Sequence, residues 1–451
     1  MKNNLASRIA TTVTQLAFAT ILTCVGSLSW AQTSSDENAL CRDIGIVFAF
    51  FNGVLTTLDE ADYDKMALRK IYGNSYRGEG IRYEVMYNYT AGMEDFVEVF
   101  EQRLKEHEGL LEGRFELFFE ALHGDGSWWQ RIEEAIPAAT DILRGFVDYA
   151  EAARIRLLTW FLANPPTFLN YQEHAIRVDT LIREGKKLLF FAHSQGNLFA
   201  NAAYAHAMTK TSPDSVKVVH VAPASAQLNG LHVLAAQDRV IHDLLSGYGY
   251  VPEATDEIPN YRDRPPGLNG ETDILGHGLL EIYLNPALAT AERIHSYVQG
   301  ALDTLVAPPA VAKSGFFTLT LVWDGPGNID LHVYEPWDPD RNIHPHVYFD
   351  NMTGKSGYLS TDNKTGYGPE QYRATCNPSK LATGMYFVGI ANREGADGRF
   401  AAVQLASSEG GLLGTRFATM YEPTGETTRP TMFLVYVKRD PQTGRYKVTF
   451  E

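Results

Sequence analysis

One serine lies where the sequence pattern changes abruptly, between an apolar run and an amphipathic one. The run 187–192 predicts a buried strand, and the residues after Gly196 predict a helix. Ala192 and Gly196 stand two places on either side of Ser194, and their small size lets the backbone turn tightly between the two elements. Such a turn lifts the hydroxyl above the edge of the sheet. We therefore expect Ser194 to be exposed to substrate and to act as a nucleophile.

The five residues Ala192-His-Ser-Gln-Gly196 resemble a known motif. They are similar to the G-x-S-x-G nucleophile elbow of α/β-hydrolases, such as lipases and esterases, with Ala192 in place of the first glycine. The resemblance implies an α/β fold with a mainly parallel sheet of the α/β-hydrolase type. It also implies a catalytic triad whose members follow in the order serine, acid, histidine.

Asp238 and His277 follow the serine in that order. Asp238 lies in a loop at the end of a predicted strand over 232–236, and His277 lies between two glycines before a helical pattern. We predict that Ser194, Asp238 and His277 form a triad. The alternatives are a helix cap for Asp238 and an ordinary loop histidine for His277. The competing acids and histidines are Asp243, Asp256, Asp273, His193, His220 and His242.

Acyl transfer also needs an oxyanion hole, in which backbone N–H groups face the developing negative charge. One predicted donor is the amide of Gln195, at the start of the helix after the serine. The other is expected in Asn52-Gly53-Val54, after a predicted strand over 44–51. The sequence leaves open whether the amide of Gly53 or of Val54 is the donor, and a simple turn without a role in chemistry is the alternative.

The first 31 residues have the pattern of a signal peptide. Two basic residues precede an apolar segment over 16–28, and Ser29-Trp-Ala31 provides the small residues that a signal peptidase reads. We expect an exported protein, periplasmic or secreted, and we predict no transmembrane span. A lipid anchor at Cys24 is the alternative.

The net charge of −15 disfavours nucleic acid as a partner. Removal of the signal peptide leaves two cysteines, Cys41 and Cys376. An oxidising compartment would permit a bridge between them, and two separate thiols remain the alternative.

The length of the chain predicts at least two domains after the signal peptide. Residues 32–305 alternate between strand and helix patterns, and 306–314 form a small-residue linker. Within the first domain, 92–165 read as a helical insertion and a candidate cap over the active site. Trp128 and Trp129 in this insertion are candidate substrate-pocket residues, and a role in the helical layer's own core is the alternative.

Residues 315–451 show short alternating strands and predict an all-β sandwich. The amino-acid sequence of 321–336 and 357–370 resembles that of an accessory domain of exported bacterial proteins. This resemblance implies a binding module for an envelope polymer or another protein. Calcium is a candidate ligand of this domain, although such acids more often end strands and cap turns. The candidate ligands are Asp324, Asp330, Asp350, Asp362 and, in addition, Glu370.

Together these patterns predict an exported serine hydrolase that cleaves an ester or thioester through an acyl-enzyme on Ser194. The predicted substrate is a small-molecule or lipid ester, as for carboxylesterases and lipases, and the chemistry requires no cofactor. The competing prediction is a non-catalytic binding or scaffolding protein of the cell envelope.

Overall fold

The computed structural model describes residues 39–41, 44–53, 56–87, 168–225, 227–244, 252–273, 275–312, 314–364, 366–421 and 430–451. Several predicted features lie outside these residues: the signal peptide with Cys24, the insertion over 92–165, Val54, Trp128 and Trp129.

The first part of the described chain is built on a six-stranded sheet. In spatial order its strands are β2 (Ser75–Tyr76), β3 (Glu79–Val85), β1 (Ile44–Phe51), β4 (Lys187–His193), β5 (Val216–Val221) and β6 (Leu231–Val233). The pairs from β3 to β6 are parallel. β2 pairs antiparallel with β3 because Arg77 and Gly78, with φ of 48° and 87°, form a two-residue hairpin turn.

Helices cover both faces of this sheet, because alternate residues of its strands point to opposite sides. The helices are α1 (Leu58–Tyr72), α2 (Phe168–Arg183), α3 (Gly196–Ala207) and α4 (Ala289–Thr304). Phe48 and Phe50 pack on one face with α1 and α4, and Val47 and Ala49 pack on the other with α2 and α3. Three short helical turns are Val240–Leu244, Tyr261–Asp263 and Leu279–Tyr283.

The rest of the chain forms two antiparallel five-stranded sheets, which we name the C-terminal sheet pair. The apolar side chains of Leu319 in one sheet and Val388 in the other belong to a single buried core. The first sheet contains, in spatial order, β10 (Gly357–Thr361), β11 (Glu370–Ala374), β7 (Phe317–Trp323), β13 (Phe400–Ser407) and β14 (Gly411–Thr419). The second contains β16 (Tyr446–Phe450), β15 (Thr431–Arg439), β12 (Gly384–Glu394), β8 (Asn328–Tyr334) and β9 (His346–Val347).

The predicted fold class is wrong. An α/β chain with a mainly parallel sheet of the α/β-hydrolase type does not describe this molecule, since ten of the sixteen strands in the described residues belong to antiparallel sheets. Parallel pairing is confined to the first sheet, and that sheet also carries an antiparallel edge at β2. The physical reason is that strands outnumber helices once the chain passes α4, and sequential strands without intervening helices pair antiparallel.

Two features tie the C-terminal sheet pair to the first sheet. A disulfide joins Cys41, just before β1, to Cys376, just after β11, across a sequence separation of 335 residues. Glu84 of β3 lies at the contact, where its buried carboxylate accepts hydrogen bonds from Arg177 of α2 at 2.6 and 2.7 Å. The same carboxylate accepts the backbone N–H of Leu412 in β14 at 3.4 Å. The contact between the two parts is therefore built around a buried charge pair.

Across the described ranges, none of the helices is long and apolar enough to cross a lipid bilayer.

Candidate active site

Ser194 occupies the turn between β4 and α3. Its φ of 56° lies in the left-handed region, which residues with a side chain seldom adopt. Its N–H donates to the carbonyl of Val221 in β5 at 3.1 Å. The buried amide of Asn197 donates to the carbonyls of both Ser194 and Val221, at 2.8 and 3.0 Å. These bonds hold the unusual backbone conformation in place.

Glycines allow the neighbouring chain to approach this turn closely. A Cβ on Gly196 would collide with the carbonyl oxygen of Phe51, so the start of α3 can lie against the end of β1 only as glycine. A Cβ on Gly53 would lie 3.0 Å from the Cβ of Ser194. The loop after β1 therefore lies directly beside the serine.

The structure brings Ser194, His277 and Asp238 into one hydrogen-bonded line. Nε2 of His277 lies 2.9 Å from Oγ of Ser194. Nδ1 of the same ring lies 2.9 and 3.1 Å from the two carboxylate oxygens of Asp238. Since the carboxylate only accepts, Nδ1–H donates to it, and the neutral ring accepts the serine O–H at Nε2.

Two further donors fix the Asp238 carboxylate, which is fully buried. The hydroxyl of Tyr283 donates to Oδ2 at 2.6 Å, and the backbone N–H of Ile241 donates to Oδ1 at 3.0 Å. Asp238 therefore also caps the turn Val240–Leu244, in addition to accepting Nδ1–H of His277.

The pKa values of the pair are shifted by burial and by charge. Burial lowers the pKa of His277, but the Asp238 carboxylate, with the more distant Asp273 and Glu281, outweighs burial and raises it above 6.5. Burial raises the pKa of Asp238, but the charge of His277 and the three hydrogen-bond donors outweigh burial and lower it. The arrangement therefore places a stable carboxylate behind an imidazole that readily takes a proton.

The loop that carries His277 is held by backbone contacts. Oδ2 of Asp273 accepts the N–H groups of His277 and Gly278 at 2.5 and 2.7 Å. Gly276 has a φ of 72° and lies so close to the carbonyl of Gln237 that a Cβ would collide with it. The histidine loop and the Asp238 loop are thus packed against each other.

His193 does not contact the serine hydroxyl in the described structure, although it precedes the serine in sequence. Its Nε2–H donates to the carbonyl of His277 at 2.9 Å, and the two rings lie 4.9 Å apart. Burial and the neighbouring His277 lower the pKa of His193 to about 3, so this ring stays neutral.

The other candidate acids and histidines whose side chains are described make no hydrogen bond to the Ser194 hydroxyl, which bonds Nε2 of His277. The side chain of Asp243 lies outside the described residues. Four hydrogen-bonded pairs account for the rest: Asp256 with Arg293, Asp273 with the N–H of Leu275, His220 with Asn197, and His242 with the carbonyl of Ala235.

One expectation about the site is wrong. Sequence analysis predicts an exposed Ser194, whereas this residue is 1% exposed. Gln195 and Asn52 are also buried, and Asn52 donates from its amide to the carbonyl of Gly53 at 3.0 Å. Ser194 is thus closed to solvent in this structure.

Sequence reasoning did not name Tyr283 as a site residue, and it named Asp273 and His193 only as competing triad members, whereas all three hydrogen-bond to Asp238 or to the backbone of His277. Tyr283 belongs to an apolar helical pattern, which predicts a core position and gives no information about a partner for its hydroxyl. The short spacing from Asp273 to His277 was the available signal for a loop-bracing carboxylate.

The calcium candidates of the C-terminal sheet pair separate into two groups. Asp330 and Asp362 come together with Glu370. Asp324 and Asp350 are exposed and do not belong to that group within the described ranges.

No protein-family model matches the chain, and no curated protein matches its sequence.

Proposed function

We propose that the chain is a serine hydrolase that cleaves an ester or thioester through an acyl-enzyme on Ser194. The observation that supports this proposal is the hydrogen-bonded line from Ser194 through His277 to Asp238. Serine alone is a weak nucleophile, and a neutral imidazole at 2.9 Å provides the base that it needs. The buried Asp238 carboxylate, held by Tyr283 and Ile241, keeps the imidazole in the orientation that this role needs.

In the proposed reaction Oγ of Ser194 attacks the carbonyl carbon while its proton moves to Nε2 of His277. The Asp238 carboxylate stabilises the resulting imidazolium through Nδ1–H. As the tetrahedral intermediate collapses, the bond to the alcohol or thiol breaks, and the leaving group takes the proton from Nε2. A water molecule, deprotonated by the same nitrogen, then attacks the acyl carbon. The bond between that carbon and Oγ breaks as Nε2 returns its proton to Oγ, and the acid is released.

The oxyanion is assigned to the space beside Gly53, at the start of α3. The amide of Gln195 is one proposed donor, because it is the first N–H after the nucleophile and the positive end of the helix favours negative charge there. The amide of Gly53 is the other, because its Cα lies against the Ser194 side chain. Asn52 holds this loop by its bond to the Gly53 carbonyl.

The burial of Ser194 adds a condition to the proposal. A carbonyl carbon can reach the hydroxyl only if the atoms packed around Ser194 move apart, and such opening steps often limit turnover. The same burial favours the second candidate, a binding or scaffolding protein of the cell envelope in which the triad persists without turnover.

We also propose that the chain is exported to the periplasm or beyond. The support is the Cys41–Cys376 disulfide, since such bonds persist in oxidising compartments. The predicted signal peptide agrees with this location.

The test is hydrolysis of a series of nitrophenyl esters of increasing acyl length by the purified chain. We expect turnover that falls by at least about a thousandfold in Ser194→Ala and in His277→Ala. Ser215→Ala is the matched control, because this buried serine lies at the opposite end of β5 from Val221. Absence of turnover in the wild type for every ester would favour the scaffolding protein.

A further inference from the structure

Three carboxylates converge between the two sheets of the C-terminal sheet pair. Asp330 lies on β8 in one sheet, whereas Glu370 begins β11 in the other and Asp362 follows β10. One oxygen from each lies within 4.8 Å of the others. Oxygens on opposite sides of a calcium ion are about 4.6–5.2 Å apart, twice the Ca–O distance. The spacing therefore fits three ligands of one cation.

Buried oxygens without partners point to a ligand at this place. Asp330 is 2% exposed, and its Oδ1 has no hydrogen-bond partner among the described residues. Oδ1 of Asp362 is buried and unpartnered in the same way. The amide oxygen of Asn328 is a third such atom, two residues before Asp330 on the same face of β8. A buried acceptor left unsatisfied costs about 1–3 kcal/mol, and more when it is charged.

Neighbouring basic residues leave this charge incompletely balanced. Nη1 of Arg393 lies 3.6 Å from Oδ2 of Asp330, and Nζ of Lys364 lies 3.5 Å from Oδ2 of Asp362. Both contacts are to the other oxygen of each carboxylate, and both basic side chains reach solvent. The Glu370 carboxylate accepts the backbone N–H groups of Leu331 and Asn363, at 2.7 and 3.3 Å, and these donors carry no charge.

Turn capping does not explain the cluster. Asp440 shows what turn capping looks like in this domain, because it is exposed and accepts the N–H groups of Gln442 and Thr443 at 2.8 Å. Asp330 instead lies inside a strand and is buried, and its Oδ1 has no hydrogen-bond partner among the described residues even though Arg393 faces its Oδ2.

We propose that Asp330, Asp362 and Glu370, with the amide oxygen of Asn328, form a calcium site that clamps the two C-terminal sheets together. All four ligands are oxygens, which suit a hard cation rather than zinc. Calcium accepts several protein oxygens in flexible geometry, whereas magnesium retains most of its waters. The site does not depend on the hydrolase activity.

The test is calorimetric titration of the EDTA-treated, purified chain with calcium chloride, together with thermal unfolding. We expect one Ca²⁺ per chain and a rise in Tm of about 3 °C or more at saturation, because a ligand of the native state stabilises it. Asp330→Asn and Asp362→Asn should each weaken binding at least about tenfold. Asp350→Asn removes the same charge from an exposed position in the same domain and should bind as the wild type does.

A second measurement separates the site from a merely structural role. Without calcium, Asp330→Asn should melt at or above the temperature of the metal-free wild type, because the substitution relieves repulsion among the carboxylates. Its Tm should rise only at calcium concentrations at least about tenfold above those that act on the wild type. Absence of binding in the wild type, or full calcium binding by Asp330→Asn, would overturn the proposal. An equal rise in Tm with magnesium would overturn the choice of cation.

Discussion

Substitution of Tyr283 by phenylalanine removes a hydroxyl that makes two buried contacts. It donates to Oδ2 of Asp238 at 2.6 Å and accepts the N–H of Ala235 at 3.2 Å. A hydrogen bond to a charged group contributes about 1.5–3 kcal/mol and a neutral one about 0.5–1.5 kcal/mol. We therefore expect Tyr283→Phe to lower the free energy of unfolding by about 2–4 kcal/mol, measured by urea denaturation.

The same change should lower ester hydrolysis. Asp238 keeps the donors His277 and Ile241, so the carboxylate stays in the site but is oriented less firmly. A loss of about 1.4 kcal/mol of transition-state stabilisation corresponds to a tenfold fall in rate. We expect kcat/KM of Tyr283→Phe to fall about tenfold at a temperature where the variant is folded.

Tyr83→Phe is the matched control. Its hydroxyl donates to the carbonyl of Gly73 at 2.8 Å, in the same part of the chain but away from the triad. This variant should lose about 1 kcal/mol of stability and keep its kcat/KM. Unchanged kcat/KM in Tyr283→Phe, or an equal fall in Tyr83→Phe, would refute the reasoning.

Three more outcomes follow from the geometry. Because the pKa of His277 is raised, kcat/KM should fall as pH drops through an apparent pKa above 6.5, and a midpoint below 6.5 in a pH–rate profile would contradict this. The same shift stabilises the fold at acidic pH, and that contribution is lost as pH rises through the raised pKa. Gly53→Ala places a methyl group 3.0 Å from Cβ of Ser194 and should lower kcat/KM at least tenfold, which is roughly 1.4 kcal/mol. Gly300→Ala is the control, because Gly300 has open space around it, and this variant should keep its kcat/KM. Equal kcat/KM values for the two variants would contradict the close contact. Glu84→Gln leaves the buried Arg177 without a counter-charge and should cost about 3–5 kcal/mol in urea unfolding. Because its two arginines overcome burial and lower the pKa of Glu84 to about 2, the wild type should lose that stabilisation as pH falls from 4.5 towards 2, and a pH-independent difference between the two proteins would argue against it.

The sequence patterns predict individual strands well. Alternation in 317–323 and 400–406 corresponds to β7 and β13, and the apolar run at 187–192 corresponds to β4. Apolar residues recur in these segments in a clear local pattern, and that pattern can be recognised without knowledge of contacts distant in sequence. The fold class fails for the described chain as a whole because parallel pairing ends at β6, and the ten antiparallel strands after α4 outnumber the six strands of the first sheet.

The candidate site shows the same limit. Small residues around Ser194 predict the tight turn, but they do not predict that the loop at Gly53, about 140 residues earlier in the chain, lies beside the serine. A role for the hydroxyl of Tyr283 could not be predicted, because the apolar residues around it in sequence indicate only a helix with a buried face. Among the candidate calcium ligands, Asp330 and Asp362 come close only because the two C-terminal sheets pack against each other. The local sequence around either residue does not predict this packing.

The most direct test of the central claim is covalent labelling of the purified chain with a fluorophosphonate probe, followed by peptide mass spectrometry. We predict one adduct on Ser194 in the wild type, none at that position in Ser194→Ala, and much slower labelling in His277→Ala. An unlabelled wild type, or equal total labelling of Ser194→Ala, would contradict the account.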